Sequence, residues 1–310
     1  MRRLRALEDL GHALWDNAWG ENVREKSLRE FIFIYGYYFK MQKMKIINLL
    51  LCLFISSISY SQDISFQKIP SRAGVTQGFL YSAPAQPFAS AVLLQGGSGS
   101  IGAAGTKERG WSKIDGFLSS GTSRFAENGI SAATTDAPSD RGDLNNGFRS
   151  SVEHSSDIAA VISFLRQQSP LTPVCLIGTS NGSLSATSGA ALLGDQGPDC
   201  IILTSSVSVK PTGLFVPKYA HFFADADLTK IKVPVLILHH KDDKCKHTPF
   251  EPMVGYVSAF KNSPKVDFIA VEGGQDNGDS CNRGHHQYLG IEAQVTQQIS
   301  EWIRNIKPTK

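Results

Sequence analysis

Residues 75–306 carry one strong constraint, an alternation of short apolar runs with stretches of helical spacing. The segments VLLQ (92–95), VCLIG (174–178) and VPVLIL (233–238) read as continuous apolar runs, as strands buried on both faces do. Strands are predicted at 75–82, 89–95, 130–136, 173–177, 200–205, 233–239 and 266–271. Helices are predicted at 111–128, 150–167, 180–193 and 250–261. A last helix carries Ile291, Val295, Ile299, Trp302 and Ile303 on one face. Strands trading with helices imply βαβ units, hence an α/β fold with a mostly parallel sheet covered on both sides. No linker rich in Pro, Gly or Ser interrupts 62–310, so that stretch is expected to be one domain.

The strand VCLI runs into Gly178-Thr179-Ser180-Asn181-Gly182 and then a helix rich in small residues. G-x-S-x-G between a strand and a helix is the setting in which a serine is lifted above a sheet edge on a strained turn. The following helix N-terminus favours developing negative charge. A Gly/Ser turn that merely caps a helix is the plainer alternative. Ser180 as nucleophile asks for an acid and then a base further along the chain. The segment HHKDDKC follows a late strand and offers Asp243 first and Asp242 second. His285 and His286 stand just before the last helix, and either can be the base. Two N–H donors must hold the oxyanion. Asn181 follows the nucleophile, and the glycine-rich loop Gly96-Gly97-Ser98-Gly99-Ser100 follows an early strand. Gly97 is the first choice for the second donor and Ser98 the next. This loop lacks the Lys-Ser/Thr of a phosphate-binding loop.

These segments together resemble the α/β-hydrolase superfamily over about residues 75–306. GGSG after a strand, the elbow GTSNGS, HHKDD and HHQYLGIE carry the resemblance. It is strongest to small exported members, in which DAPSD, FRSSVEHSSDIAAVISFLR, GTSNGSLSA, HHKDDKC and HxxLGIE recur in this order. The resemblance implies an eight-stranded, mostly parallel sheet without a large lid and a triad of Ser180, Asp243 and His286. The activity it implies is cleavage of a carboxylic ester or related acyl bond, without a cofactor, on a small-molecule substrate. Residues 207–232, the usual place for a lid, are few and hold few consecutive apolar residues outside 213–216. Asp136, Asp140 and Arg141 read either as substrate contacts or as salt-bridged loop structure.

Residues 44–61 follow Lys43, include Lys45, and hold an apolar run from Ile46 to Ile58 that ends in small residues. This is a secretory signal pattern with cleavage before Gln62, too short to span a bilayer, and it predicts export with no stable membrane anchor. Residues 1–43 then read as an upstream extension or a misassigned start. Export permits disulfides. Cys175 and Cys200 lie in apolar runs and are expected as buried free thiols. Cys245 and Cys281 lie in polar loops two residues past Asp243 and five before His286, and are expected to pair and clip the acid loop to the base loop. Residues 46–310 hold 22 basic and 22 acidic side chains, which argues against nucleic-acid binding. His239, His240, Asp242, Asp243, Cys245, His247, Cys281, His285 and His286 suit zinc by type, but without the spacing of a known zinc motif. No metal is expected. A non-catalytic binding protein and an acyltransferase on the same scaffold are the other readings.

Overall fold

A computed structural model describes Tyr37 and residues 63–102, 115–210 and 222–306. The chain divides between Ser61 and Gln62 into two units, and every element below belongs to the second. The signal pattern at 44–61 lies outside the described residues, as do 1–43 apart from Tyr37. Among the described residues no helix is long and apolar enough to cross a membrane.

Eight strands form one sheet: β1 (Ser65–Arg72), β2 (Val75–Ser82), β3 (Ala89–Leu94), β4 (Ile130–Thr135), β5 (Val174–Thr179), β6 (Cys200–Thr204), β7 (Val235–His240) and β8 (Val266–Val271). Their order across the sheet is β1-β2-β4-β3-β5-β6-β7-β8. The β1/β2 and β2/β4 pairs are antiparallel, and all the others are parallel. The helices are α1 (Thr122–Glu127), α2 (Asn146–Arg149), α3 (Val152–Gln168), α4 (Gly182–Leu193), α5 (Phe250–Gly255) and α6 (Glu292–Asn305).

The period of two in a strand divides the core into two layers. Val92, Leu94 and Leu176 join Ile158, Val161, Ile162 and Leu165 of α3 on one face. Leu93, Ile177 and Leu236 join Val295, Ile299 and Ile303 of α6 on the other. Each of those helix side chains is worth about 2 kcal/mol when buried. The start of α3 is set by Ser151, whose hydroxyl accepts the His154 N–H at 3.1 Å. The small residues of α4 let it lie close on β5, so that a Cβ at Gly189 would sit 3.1 Å from Leu176 Cδ1.

The structure departs from the sequence reading at four places. β1 is an edge strand that the reading missed. SFQKIPSR has no apolar run, and its Pro70 stands at a register shift, where an edge tolerates a missing donor. The predicted helix at 111–128 is described only from 115, and only α1 is helical there. Gly116, at φ +109°, and Gly121 keep the preceding turns out of it. The predicted 250–261 helix gives way after Gly255 to a 3-10 turn, Tyr256–Ala259. Cys175 and Cys200 are joined in a disulfide rather than free. They are register partners on the adjacent parallel strands β5 and β6, and strand adjacency cannot be read from two apolar runs. Between β6 and β7 the described residues form only two 3-10 turns, Phe223–Asp225 and Leu228–Lys230, while 211–221 lie outside the described residues.

Candidate active site

β5 ends at Thr179 and α4 begins at Gly182, so Ser180 sits in the two-residue turn between them. Its φ is +51°, a left-handed conformation that costs a non-glycine residue of the order of 1 kcal/mol and that only surrounding structure can hold. Three glycines make room for it. A Cβ on Gly96 would come within 2.7 Å of Ser180 Cβ. A Cβ on Gly178 would run into the Gly182 backbone, and one on Gly182 into the Leu94 carbonyl. The turn is tied down by Ser180 N–H to the Thr204 carbonyl at 3.1 Å and by Ser183 Oγ to the Ser180 carbonyl at 2.5 Å.

The acid loop follows β7. Asp243 is 8 % exposed and every bond to its carboxylate comes from close by. Oδ1 accepts from Cys245 N–H at 3.0 Å. Oδ2 accepts from Thr248 Oγ1 at 2.8 Å and from His286 Nδ1 at 2.9 Å. Burial works to raise the Asp243 pKa, but the His286 bond and charge, the Cys245 N–H and nearby His239 outweigh it and hold the carboxyl below its usual range. A carboxylate at Nδ1 puts the proton on that nitrogen and leaves Nε2 of His286 with its lone pair. Asp242, the second choice for the acid, bonds neither base candidate through its carboxylate. Its backbone carbonyl meets His285 Nδ1 at 3.2 Å.

The two adjacent histidines face different partners. His286 is 1 % exposed and lies against Asp243. His285 stacks on His240 with ring centroids 4.3 Å apart. The backbone around His286 is fixed from β6: Ser205 Oγ donates to the His286 carbonyl at 2.9 Å. Ser180 and His286 are thus anchored to consecutive residues, Thr204 and Ser205. The two side chains are not hydrogen-bonded to each other, and such bonds commonly form only once substrate is in place. Tyr288 completes the support. Its buried hydroxyl accepts the Ser205 N–H at 3.1 Å and donates to the Leu238 carbonyl at 3.0 Å, and burial pushes its pKa far up. Thr248, Ser205 and Tyr288 went unread in the sequence. Nothing in KHTPF or TSSVS marks a threonine or serine that will meet a distant loop, although Tyr288 stands two residues from the base candidate.

The glycine-rich loop passes beside Ser180. Gly97 has φ +56°, and its carbonyl accepts from Asn181 Nδ2 at 3.4 Å and from Arg149 Nη2 at 3.1 Å. Ser98 is tied elsewhere, its carbonyl taking the Leu144 N–H at 2.7 Å. Asp136 braces the far side of the loop through Ser100 Oγ at 3.0 Å and Ile101 N–H at 2.9 Å. Asp140 pairs with Arg72 at 3.0 Å, and Arg141 lies over the Phe148 ring. The loop-structure reading therefore describes Asp136, Asp140 and Arg141, and none of the three lines the cleft.

That cleft has a volume of about 520 Å³ and holds Ser180, Asn181, Gly96 and Gly97 in its wall. The Cys245–Cys281 disulfide lines it and joins the acid loop to the segment before His286. Among the described lining residues Val207 is the one aliphatic side chain, against Asp115, Asp279, Asn282, Arg283 and Gln287. Among the described residues one group brings potential metal ligands within 4.8 Å of one another: His240, Asp242 and His285. Both ring nitrogens of His240 are occupied by backbone, Nδ1 by the Asp242 N–H at 3.0 Å and Nε2 by the Gly273 carbonyl at 2.8 Å, which suits a structural role.

Buried histidines give the site a pH signature. Burial lowers the pKa of His239, His240 and His247, with Asp243 opposing the shift at His239. A group with a lowered folded pKa takes up its proton first in the unfolded chain, so stability drops as pH falls below about 6.5, the unfolded histidine value. Asp243, held low, adds a further loss below about pH 4. Melting curves should show Tm declining steadily from pH 7 to 5. A flat or rising Tm over that interval would contradict the burial of these rings.

No family model and no curated protein matches the chain. Solved structures do. Est1E from Butyrivibrio proteoclasticus is 17% identical with a TM-score of 0.52, covering 77% of this chain and 97% of its own. An esterase of Pyrococcus furiosus, Pf2001, is 13% identical with a TM-score of 0.53, covering 79% and 93%. An alpha-beta serine hydrolase homologue from Coxiella burnetii is 16% identical with a TM-score of 0.50, covering 80% and 100%. Identities this low speak to the fold alone, and with the eight-stranded sheet and its flanking helices they establish that this chain has the α/β-hydrolase fold.

Proposed function

We propose that the chain is a serine hydrolase that cleaves small, polar carboxylic esters through an acyl-enzyme on Ser180. One observation carries the reading: a strained Ser180 and a carboxylate-held His286 hang from the same two-residue step at the end of β6. His286 Nε2 takes the Ser180 proton as Oγ attacks the ester carbonyl carbon. The N–H groups of Asn181 and Gly97 receive the negative oxygen. Collapse of the adduct breaks the ester C–O bond, and His286 returns the proton to the departing alkoxide. Water, activated by the same ring, then releases the acid. Asp243 stays ionised and steadies the imidazolium, while Thr248 and Cys245 N–H hold Asp243 in place. The esterase of known structure with this fold agrees with such chemistry, and the two disulfides suit the oxidising compartment to which residues 44–61 would direct the chain.

The charged side chains in the cleft wall argue for a short acyl group. A long chain would set methylenes against Asp115, Asp279 and Arg283, with Val207 the one aliphatic side chain among the described lining residues. On p-nitrophenyl esters of graded length, kcat/KM for acetate or butyrate should exceed that for decanoate by about 100-fold, as a loss of roughly 3 kcal/mol in transition-state binding requires. A profile that rises with chain length would overturn the substrate assignment, and undiminished hydrolysis by Ser180→Ala would overturn the mechanism.

A further inference from the structure

Arg149 ends the short helix α2 and is 1 % exposed. Among the described residues no carboxylate pairs with it; the buried Asp157 is taken by Arg72 at 2.9 Å and by Ser71 at 2.5 Å. An ion with no counter-charge is expensive to bury. Its two bonds show where the side chain is directed. Nη1 donates to Ser185 Oγ at 2.9 Å, on the second turn of α4, and that hydroxyl also meets His154 Nε2 at 2.9 Å. Nη2 donates to the Gly97 carbonyl at 3.1 Å. The opposite side of this carbonyl takes Asn181 Nδ2, from the residue after the nucleophile. Gly99 matters to the same arrangement, since a Cβ there would come within 2.8 Å of Arg149 Nη2. The guanidinium therefore bridges the helix that follows Ser180 and the loop that flanks it.

We propose that Arg149 is a positioning residue of the Ser180 site: by holding the Gly97 carbonyl it fixes the glycine-rich loop beside Ser180, and its charge, which no described carboxylate answers, is the counter-charge for the oxyanion that forms beside that loop. The proposal rests on the hydrolase reading above. A cation that no described carboxylate pairs with gains its partner when negative charge develops on the substrate, which is the condition for stabilising a transition state more than a ground state. Desolvation lowers the Arg149 pKa, to about 9, in keeping with a charge that no described carboxylate faces. Gly97 φ is positive, so the loop needs an external hold to keep its N–H groups aimed.

The experiment compares Arg149→Met and Arg149→Lys with wild type in the full-length chain. The readouts are kcat and KM for p-nitrophenyl acetate and the affinity of phenylboronic acid, which forms a tetrahedral anionic adduct with a reactive serine. Arg149→Met should melt near wild type, because a shape-matched apolar side chain often replaces a buried ion without loss. Its kcat and boronate affinity should fall together by about 10- to 100-fold, with KM changed less than about 3-fold. Arg149→Lys, which keeps the charge but cannot span Ser185 and Gly97 together, should lose about 3- to 10-fold in both. A folded Arg149→Met with unchanged kcat and boronate affinity overturns the proposal, as does a rise in KM alone. Should Arg149→Met fail to fold, Arg149→Lys decides: a parallel fall in kcat and boronate affinity supports the proposal, and no fall in boronate affinity overturns it. Wild type that neither turns over the ester nor binds the boronate overturns the hydrolase reading itself, an outcome separate from both.

Discussion

Replacing His286 with alanine is expected to lower kcat on a short ester by about 10⁴- to 10⁶-fold, the range found when a serine hydrolase loses its base. The expectation follows from what surrounds the ring. Its Nδ1 is 2.9 Å from Asp243 Oδ2, and the carbonyl of its own residue is held by Ser205 Oγ, so its position depends on two elements at once. Alanine keeps the Ser205 bond to the backbone carbonyl and removes the ring, with its proton acceptor and its bond to Asp243. KM should move little, because the ring is buried and does not line the cleft. His285→Ala is the matched comparison. It removes a ring stacked on His240, 43 residues from the acid loop carbonyl that it meets, and should keep kcat within about 5-fold. Equal and small losses in both variants, measured by initial rates on p-nitrophenyl acetate, would contradict the assignment of the base.

Gly182→Ala should damage both stability and catalysis. The added methyl would sit about 2.7 Å from the Leu94 carbonyl carbon and 2.8 Å from the Gln95 oxygen, all backbone and none able to swing aside. Either α4 lifts off the end of β3 or the two strands part, and the loop that starts at Gly96 moves with them. Overpacking against fixed backbone falls among the severe substitutions, about 3–5 kcal/mol. In a domain of this size that corresponds to a Tm lowered by roughly 10 °C or more. Gly147→Ala is the control, since nothing lies within 4 Å of a Cβ there. Calorimetry finding Gly182→Ala within about 2 °C of wild type would show that the elbow is far looser than its contacts indicate.

The parallel centre of the sheet was legible because strands covered on both faces are mostly apolar, and β3, β5, β6 and β7, buried along their whole length, each hold such a run. The edge was not. β1 is half-buried and carries Pro70, so neither alternation nor an apolar run marks it. The helix α3 was legible from its helical spacing, to within two residues at its start, and a helix start was misread where glycine turns precede a short helix, as before α1. At the site, G-x-S-x-G located Ser180 because its glycines are required by contacts only a Cβ away from collision. The pairing of Asp243 with His286 and of Cys245 with Cys281 could be reasoned from loops that share a strand edge. The Cys175–Cys200 bond could not, since it depends on register between β5 and β6. Thr248, Ser205, Tyr288 and Arg149 were hidden for the same reason. Each is an ordinary residue whose role is created by a partner distant in sequence.

A Ser180 hydroxyl made nucleophilic by His286 is read out by the reaction of the purified chain with a fluorophosphonate, followed by intact mass and peptide mapping. A single adduct is expected on the peptide holding Ser180, formed within minutes by wild type and absent from both Ser180→Ala and His286→Ala. No adduct on wild type, or an adduct that persists when Ser180 is replaced, would contradict that role for Ser180.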